Sequence, residues 1–126
     1  MVKTLLKCAK LQFPKKECRC GFEHDCWIYQ TLGFIRKQKI EPVCEQFDID
    51  IVCLDEKIGI ELETGKSNIE SNLLKLKNLN VLTHCYMLAI NKIAEQKIIK
   101  FQPSFPNIKI MTVEKFLKLR IAQIIV

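Results

Sequence analysis

At 126 residues, with 48% hydrophobic and 27% charged side chains and a net charge of +6, the chain has the make-up of one globular domain able to bury a single core. No apolar run reaches the ~18 residues that span a bilayer, and residues 1–10 are too polar for a secretory leader. A cytoplasmic protein with no membrane partner is therefore expected. Charge is unevenly spread: residues 1–45 carry a net +4, residues 46–71 a net −5 and residues 72–126 a net +7. Basic flanks suit a polyanion held by its phosphates, or a solvated lysine-rich surface equally well; the acidic island between them calls for a separate explanation.

Residues 1–21 read as a basic arm interrupted by Pro14 and Gly21. A helix is expected over 22–37, because Trp27, Ile28, Leu32 and Ile35 fall at helical spacing on one side. A short strand within 39–47 must be an edge or bulged one, since Pro42 lacks a ladder donor. Next comes a hairpin over 49–54 and 58–63. With 55–58 as its loop, Leu54 pairs with Gly59, Val52 with Glu61 and Asp50 with Glu63, so Asp50, Glu61 and Glu63 crowd one face. Two like charges about 4 Å apart repel by roughly 1 kcal/mol in water and roughly 4 at an effective dielectric of 20. Such a cluster needs a neutralising partner, and an oxygen-liganded divalent cation is the simplest one. A lone acidic pair more often lines the wet face of an antiparallel sheet.

Ser67, with Glu70 three residues on, forms an expected capping box that starts a helix running to about Asn80, with Ile69, Leu73, Leu76 and Leu79 inward. A buried strand is expected over 85–90, a helix over 93–99, a strand over 108–111 and, capped by Thr112, a last helix over 113–123. Alternating β and α segments after the hairpin predict parallel strands flanked by helices. Thr64-Gly65-Lys66-Ser67 looks like part of a phosphate loop, but Ile60 stands where the first glycine belongs, which argues against nucleotide hydrolysis. The N-terminus of the Ser67 helix could still receive a phosphate.

Seven cysteines without a leader suggest thiols, a bridge among Cys8, Cys18, Cys20, Cys26 and Cys44, or a metal site from Cys18, Cys20, His24 and Cys26. The spacing departs from structural zinc, so a bridge or free thiols are favoured. An intracellular bridge points to a hyperthermophile. Cys53 and Cys85 read as buried strand residues.

Asp50-x(10)-Glu61-x-Glu63 followed by Thr-Gly-Lys66-Ser resembles the active-site motif of the PD-(D/E)XK nuclease superfamily, and is most similar to archaeal and archaeal-virus nuclease-like domains with Glu-x-Glu-Thr-Gly-Lys-Ser. The resemblance runs from about Phe22 to the C-terminus. It implies an α/β fold with a restriction-endonuclease-like αβββαβ core, a mixed central sheet flanked by helices, and a metal-dependent deoxyribonuclease that hydrolyses phosphodiester bonds through an activated water. Asp50 and Glu61 would then bind Mg²⁺ or Mn²⁺. Glu63 stands where a lysine is usual and would assist as ligand or general base, with Lys66 supplying the ammonium. Glu23, beside His24 at the start of the first helix, could also reach the metal, while His24 reads as a neighbour. Lys66, Ser67, Asn72, Lys75 and Lys77 would line the DNA, and a dimer would cut both strands. The alternative is a non-catalytic nucleic-acid-binding or protein-interaction module on the same fold.

Overall fold

The computed structural model describes residues 23–125; the basic arm expected over 1–21 lies outside them. Its elements are α1 (Glu23–Lys37), β1 (Val43–Cys44), β2 (Ile51–Cys53), β3 (Ile58–Glu63), α2 (Ile69–Asn78), β4 (His84–Ala89), α3 (Lys92–Ile99), β5 (Ile108–Thr112), α4 (Val113–Phe116) and α5 (Ile121–Ile124). The five strands form one sheet in chain order, with β1–β2 and β2–β3 antiparallel and β3–β4 and β4–β5 parallel. The chain is thus α/β, with a mixed sheet between two helical layers.

Alternation along β3 assigns the layers. Ile58, Ile60 and Leu62 face one core, built with Trp27, Ile28, Leu32 and Ile35 of α1 and with Val113, Phe116 and Ile124 from the C-terminal helices. Met87 and Ala89 of β4 face the other core, with Leu73 and Leu76 of α2 and Ala94 and Ile98 of α3. Gly59 belongs to that second face. A Cβ there would stand 2.5 Å from Leu82 Cδ1 and 3.3 Å from Leu76 Cδ2, so its missing side chain lets α2 and the Leu82 loop lie close on β3.

Several boundaries differ from expectation. The hairpin register is Ile51↔Ile60 and Val52↔Gly59, two residues from the expected pairing, because the loop is 54–57, closed by Lys57 N donating to the Leu54 carbonyl at 3.2 Å. This register sets Asp50 opposite Glu61 rather than Glu63. Helix α2 is capped by Asn68, whose side chain accepts from Ser71 N, and it ends at Asn78 rather than Asn80. The expected helix over 113–123 is split into α4 and α5. Leu117, Leu119 and Ile121 all pack on the core, a two-residue spacing that one continuous helix cannot present on one side. The Tyr86 hydroxyl then fixes α5 by donating to the Ile124 carbonyl at 2.6 Å.

Cys44, Cys53 and Cys85 are free thiols, and burial is the leading cause raising the pKa of each, Cys53 to about 12. Cys44 is therefore no part of a bridge. Cys26 is disulfide-bonded; Cys8, Cys18 and Cys20 lie outside the described residues. Among the described residues, no helix is long and apolar enough to cross a membrane.

Candidate functional site

Glu61 and Glu63 point from β3 to the face covered by α2 and are both buried, at 3% and 0% exposure. Asp50 precedes β2 and meets Glu61 across the antiparallel pair, its N–H donating to Glu61 Oε1 at 3.2 Å. These groups gather at the C-terminal end of parallel strand β3, the end where crevices of α/β sheets take ligands. There a cleft of about 330 Å³ is lined by His24, Asp50, Glu61, Leu62, Thr64, Ser67, Asn72 and Lys75.

The two acids already have cationic neighbours. His24 Nε2, from the first turn of α1, lies 3.1 Å from Asp50 Oδ2 and 3.1 Å from the Leu62 carbonyl. Asp50 Oδ2 also accepts from Leu62 N at 2.8 Å. The hydrogen bond to Asp50 holds the His24 pKa up at about 9 against the opposing effect of burial, with the Asp50 and Asp25 charges adding to it. On the other side, Lys75 Nζ stands 3.6 Å from Glu61 Oε1 and donates to the Asp48 carbonyl at 2.9 Å. Glu61 is nonetheless pushed up to about 8, first by burial and then by the Asp50 charge, with Lys75 and the Asp50 N–H acting against both. Repulsion in the cluster is thus relieved by His24 and by Lys75, while burial and the Asp50 charge shift Glu61 toward its protonated form.

Glu63 has a different surrounding. Its carboxylate accepts from the Ser67 hydroxyl at 2.7 and 2.8 Å, from Gly65 N at 2.8 Å and from Asn72 Nδ2 at 3.2 Å. It anchors the loop over 64–67, where Gly65 takes φ 89°, and it does not line the cleft. Lys66 is exposed and lines an adjoining cleft of about 530 Å³ with Glu23, His24, Asp25, Thr64, Ile90 and Asn91. Lys77 lies over the Phe105 ring and faces a third cleft with Leu76 and Asn80. The structure therefore unites Asp50, Glu61, Asn72, Ser67 and Lys75, and separates Glu23, Lys66 and Lys77 from them.

Lys75, expected on the DNA-facing side, and His24, expected as a neighbour of the site, both stand against the acids. For Lys75 a signal existed: Asn68, Asn72 and Lys75 follow helical spacing beside the apolar row Ile69, Leu73 and Leu76, so a polar strip flanks the buried face of α2. His24, 26 residues from Asp50 in the chain, carried no such signal.

Among the described residues, no group of three or more His, Cys, Asp or Glu side chains is arranged to hold a metal ion. The donor set still suits Mg²⁺, which commonly takes only one or two carboxylates and completes its shell with water and substrate phosphate oxygens. The hydrogen bonds above engage Asp50 Oδ2, Glu61 Oε1 and one lone pair of the Leu62 carbonyl, leaving Asp50 Oδ1, Glu61 Oε2 and the second lone pair of that carbonyl as hard oxygen donors.

A pH dependence follows from the two raised pKa values. Each folded value lies above the unfolded one, so the Glu61 contribution to stability is complete below about 4.5 and is lost as pH rises through about 8, and that of His24 is complete below about 6.5 and lost through about 9. Denaturant unfolding in chelator is expected to show stability falling by several kcal/mol from about pH 5 to about pH 9. Glu61→Gln should flatten that fall; an unchanged slope would mean that Glu61 ionises normally.

No protein-family model, curated protein or solved structure matches the chain.

Proposed function

We propose that this protein is a metal-dependent nuclease that hydrolyses phosphodiester bonds, DNA being the favoured substrate, and that its sheet and helices form a restriction-endonuclease-like αβββαβ core. The observation that carries the reading is the juxtaposition of Asp50, Glu61 and the Lys75 ammonium in one open cleft at the end of β3. The succession α1-β1-β2-β3-α2-β4, with β3 and β4 parallel, is the order which the motif resemblance implies.

Asp50 and Glu61, with the Leu62 carbonyl, would hold Mg²⁺, which when bound acts as a Lewis acid and lowers the pKa of its water. Lys75 sets a positive charge where a phosphate oxygen would lie and draws Glu61 toward its ionised form. Glu63 acts through the loop: by binding Ser67, Gly65 and Asn72 it fixes the cleft wall. The basic residues beyond position 72 supply phosphate contacts that position the strand without reading sequence.

A second reading, a non-catalytic nucleic-acid-binding module, draws support from the internal charge balance of the site, in which His24 and Lys75 already face Asp50 and Glu61. Incubation of the protein with supercoiled plasmid and with single-stranded, duplex and branched oligonucleotides, in Mg²⁺, in Mn²⁺ and in chelator, separates the two. Cleavage that needs the metal is the expected result. Nucleic-acid binding without cleavage of any substrate in either metal would favour the binding module.

A further inference from the structure

The segment between β1 and β2 holds an exposed aromatic residue in an unfavourable backbone conformation. Glu45, Phe47 and Asp48 have φ of 58°, 56° and 61°, the left-handed region that bulky residues rarely enter and that tends to be retained at functional sites. Phe47 is also 47% exposed, so burial of its ring offsets the strain only in part. The turn is nevertheless firmly tied. Glu45 N donates to the Asp50 carbonyl at 3.0 Å, Ile49 N to the Gln46 carbonyl at 3.0 Å, and Ile49 itself is fully buried. Lys75, the ammonium beside Glu61, holds the same turn by donating to the Asp48 carbonyl. An aromatic ring is thereby presented to solvent three residues before Asp50 and next to the residue whose carbonyl binds Lys75.

We infer that Phe47 is a stacking platform for an unpaired nucleobase adjoining the phosphate taken by the Asp50–Glu61–Lys75 cleft. This rests on the nucleic-acid reading proposed above. A base stacks on an aromatic side chain through its π-face whatever its identity, and needs no hydrogen-bond partner there. A base within a duplex has both faces covered by its neighbours, so the platform selects single-stranded or locally opened nucleic acid. The cationic flank after residue 72 attracts the backbone of such a strand, and the ring engages a base beside it. The left-handed turn carries the ring away from the core, at a position where glycine or asparagine would satisfy the backbone with less strain.

The test uses a single-stranded 12-mer carrying 2-aminopurine at successive positions, in Ca²⁺ or chelator so that no cleavage intervenes, with a hairpin-capped duplex of the same sequence as comparison. Phe47→Ala is expected to weaken single-strand binding roughly tenfold, to leave the salt slope unchanged because no phosphate contact is lost, and to abolish the position-specific quenching of 2-aminopurine. Phe47→Trp should restore affinity and quenching, and Phe47→Ala should melt no lower than the wild type. Unchanged affinity and quenching in Phe47→Ala would overturn the stacking role while leaving the nucleic-acid reading intact. Weaker binding that Phe47→Trp fails to restore, together with a lowered melting temperature, would make Phe47 a folding residue and overturn the role as well. A wild type that binds no nucleic acid at low salt would overturn the reading on which the inference rests, and the inference with it.

Discussion

Replacing either Asp50 or Glu61 by alanine is expected to lower Mg²⁺-dependent cleavage on the order of a thousandfold or more, since each change removes one of the two carboxylates that would hold the metal. DNA affinity measured in Ca²⁺ should persist, because the basic surfaces remain. The two variants should differ in stability. Asp50 accepts from Leu62 N and faces His24, so Asp50→Ala leaves a strand N–H unpaired and removes the main counter-charge of His24, and should cost about 1–3 kcal/mol in chelator. Glu61 is a buried acid whose pKa is raised to about 8, so above that pH its removal relieves a desolvated charge. Glu61→Ala should there melt no lower than the wild type, apart from the loss of its packing. Glu63→Ala offers a contrast: the hydrogen bonds from three donors, the Ser67 hydroxyl, Gly65 N and Asn72 Nδ2, disappear, and destabilisation should exceed that of the other two. Plasmid nicking, affinity in Ca²⁺ and melting with and without metal distinguish these cases. Nicking that survives in both Asp50→Ala and Glu61→Ala would remove the chemistry from these residues.

The crowding of acids was legible because side chains alternate along a strand. Glu61 and Glu63 share a face whatever the register, and the actual pairing differs from the expected one by two residues, which preserves faces while changing partners. The loop over 54–57 contains no Asn-Gly or Gly-x pair to set its length. Besides the local Lys57 N to Leu54 carbonyl bond, a tertiary contact holds it: the Lys57 carbonyl accepts from Thr83 N at 2.9 Å and His84 N at 3.0 Å. The start of α2 illustrates the same limit. Ser67 and Asn68 are both good caps, and Ser67 is drawn away because its hydroxyl binds Glu63. The opposition of charges within the site was hidden for a related reason. His24 and Lys75 come from helices on opposite faces of the sheet; the polar strip of α2 hints at Lys75, but nothing local in sequence brings His24 to Asp50.

The lysines provide the sharpest separation between the motif and the molecule. By motif spacing the ammonium of the proposed nuclease site would fall to Lys66; the geometry favours Lys75 for that proposed role, since it is 3.6 Å from Glu61 Oε1 and lines the acid cleft, whereas Lys66 is exposed in the cleft beyond Thr64. Lys75→Ala is expected to lower cleavage at saturating DNA by roughly a hundredfold or more, the size of effect seen when a preorganised charge is taken from a developing oxyanion. Two further consequences accompany it. Glu61 loses a cation that favours its ionised form, so its pKa should rise further and the pH at which Mn²⁺ binds should move up with it. The turn over 45–48 loses the bond to the Asp48 carbonyl, which Lys75→Arg could partly restore. Lys66→Ala should instead weaken DNA binding with a salt slope reduced by about one phosphate contact, with little change in turnover at saturation. Single-turnover cleavage at saturating DNA, with affinity measured across a salt series, resolves the two. Turnover lost in Lys66→Ala and retained in Lys75→Ala would return the ammonium to the loop and leave Lys75 as the counter-ion of Glu61 alone.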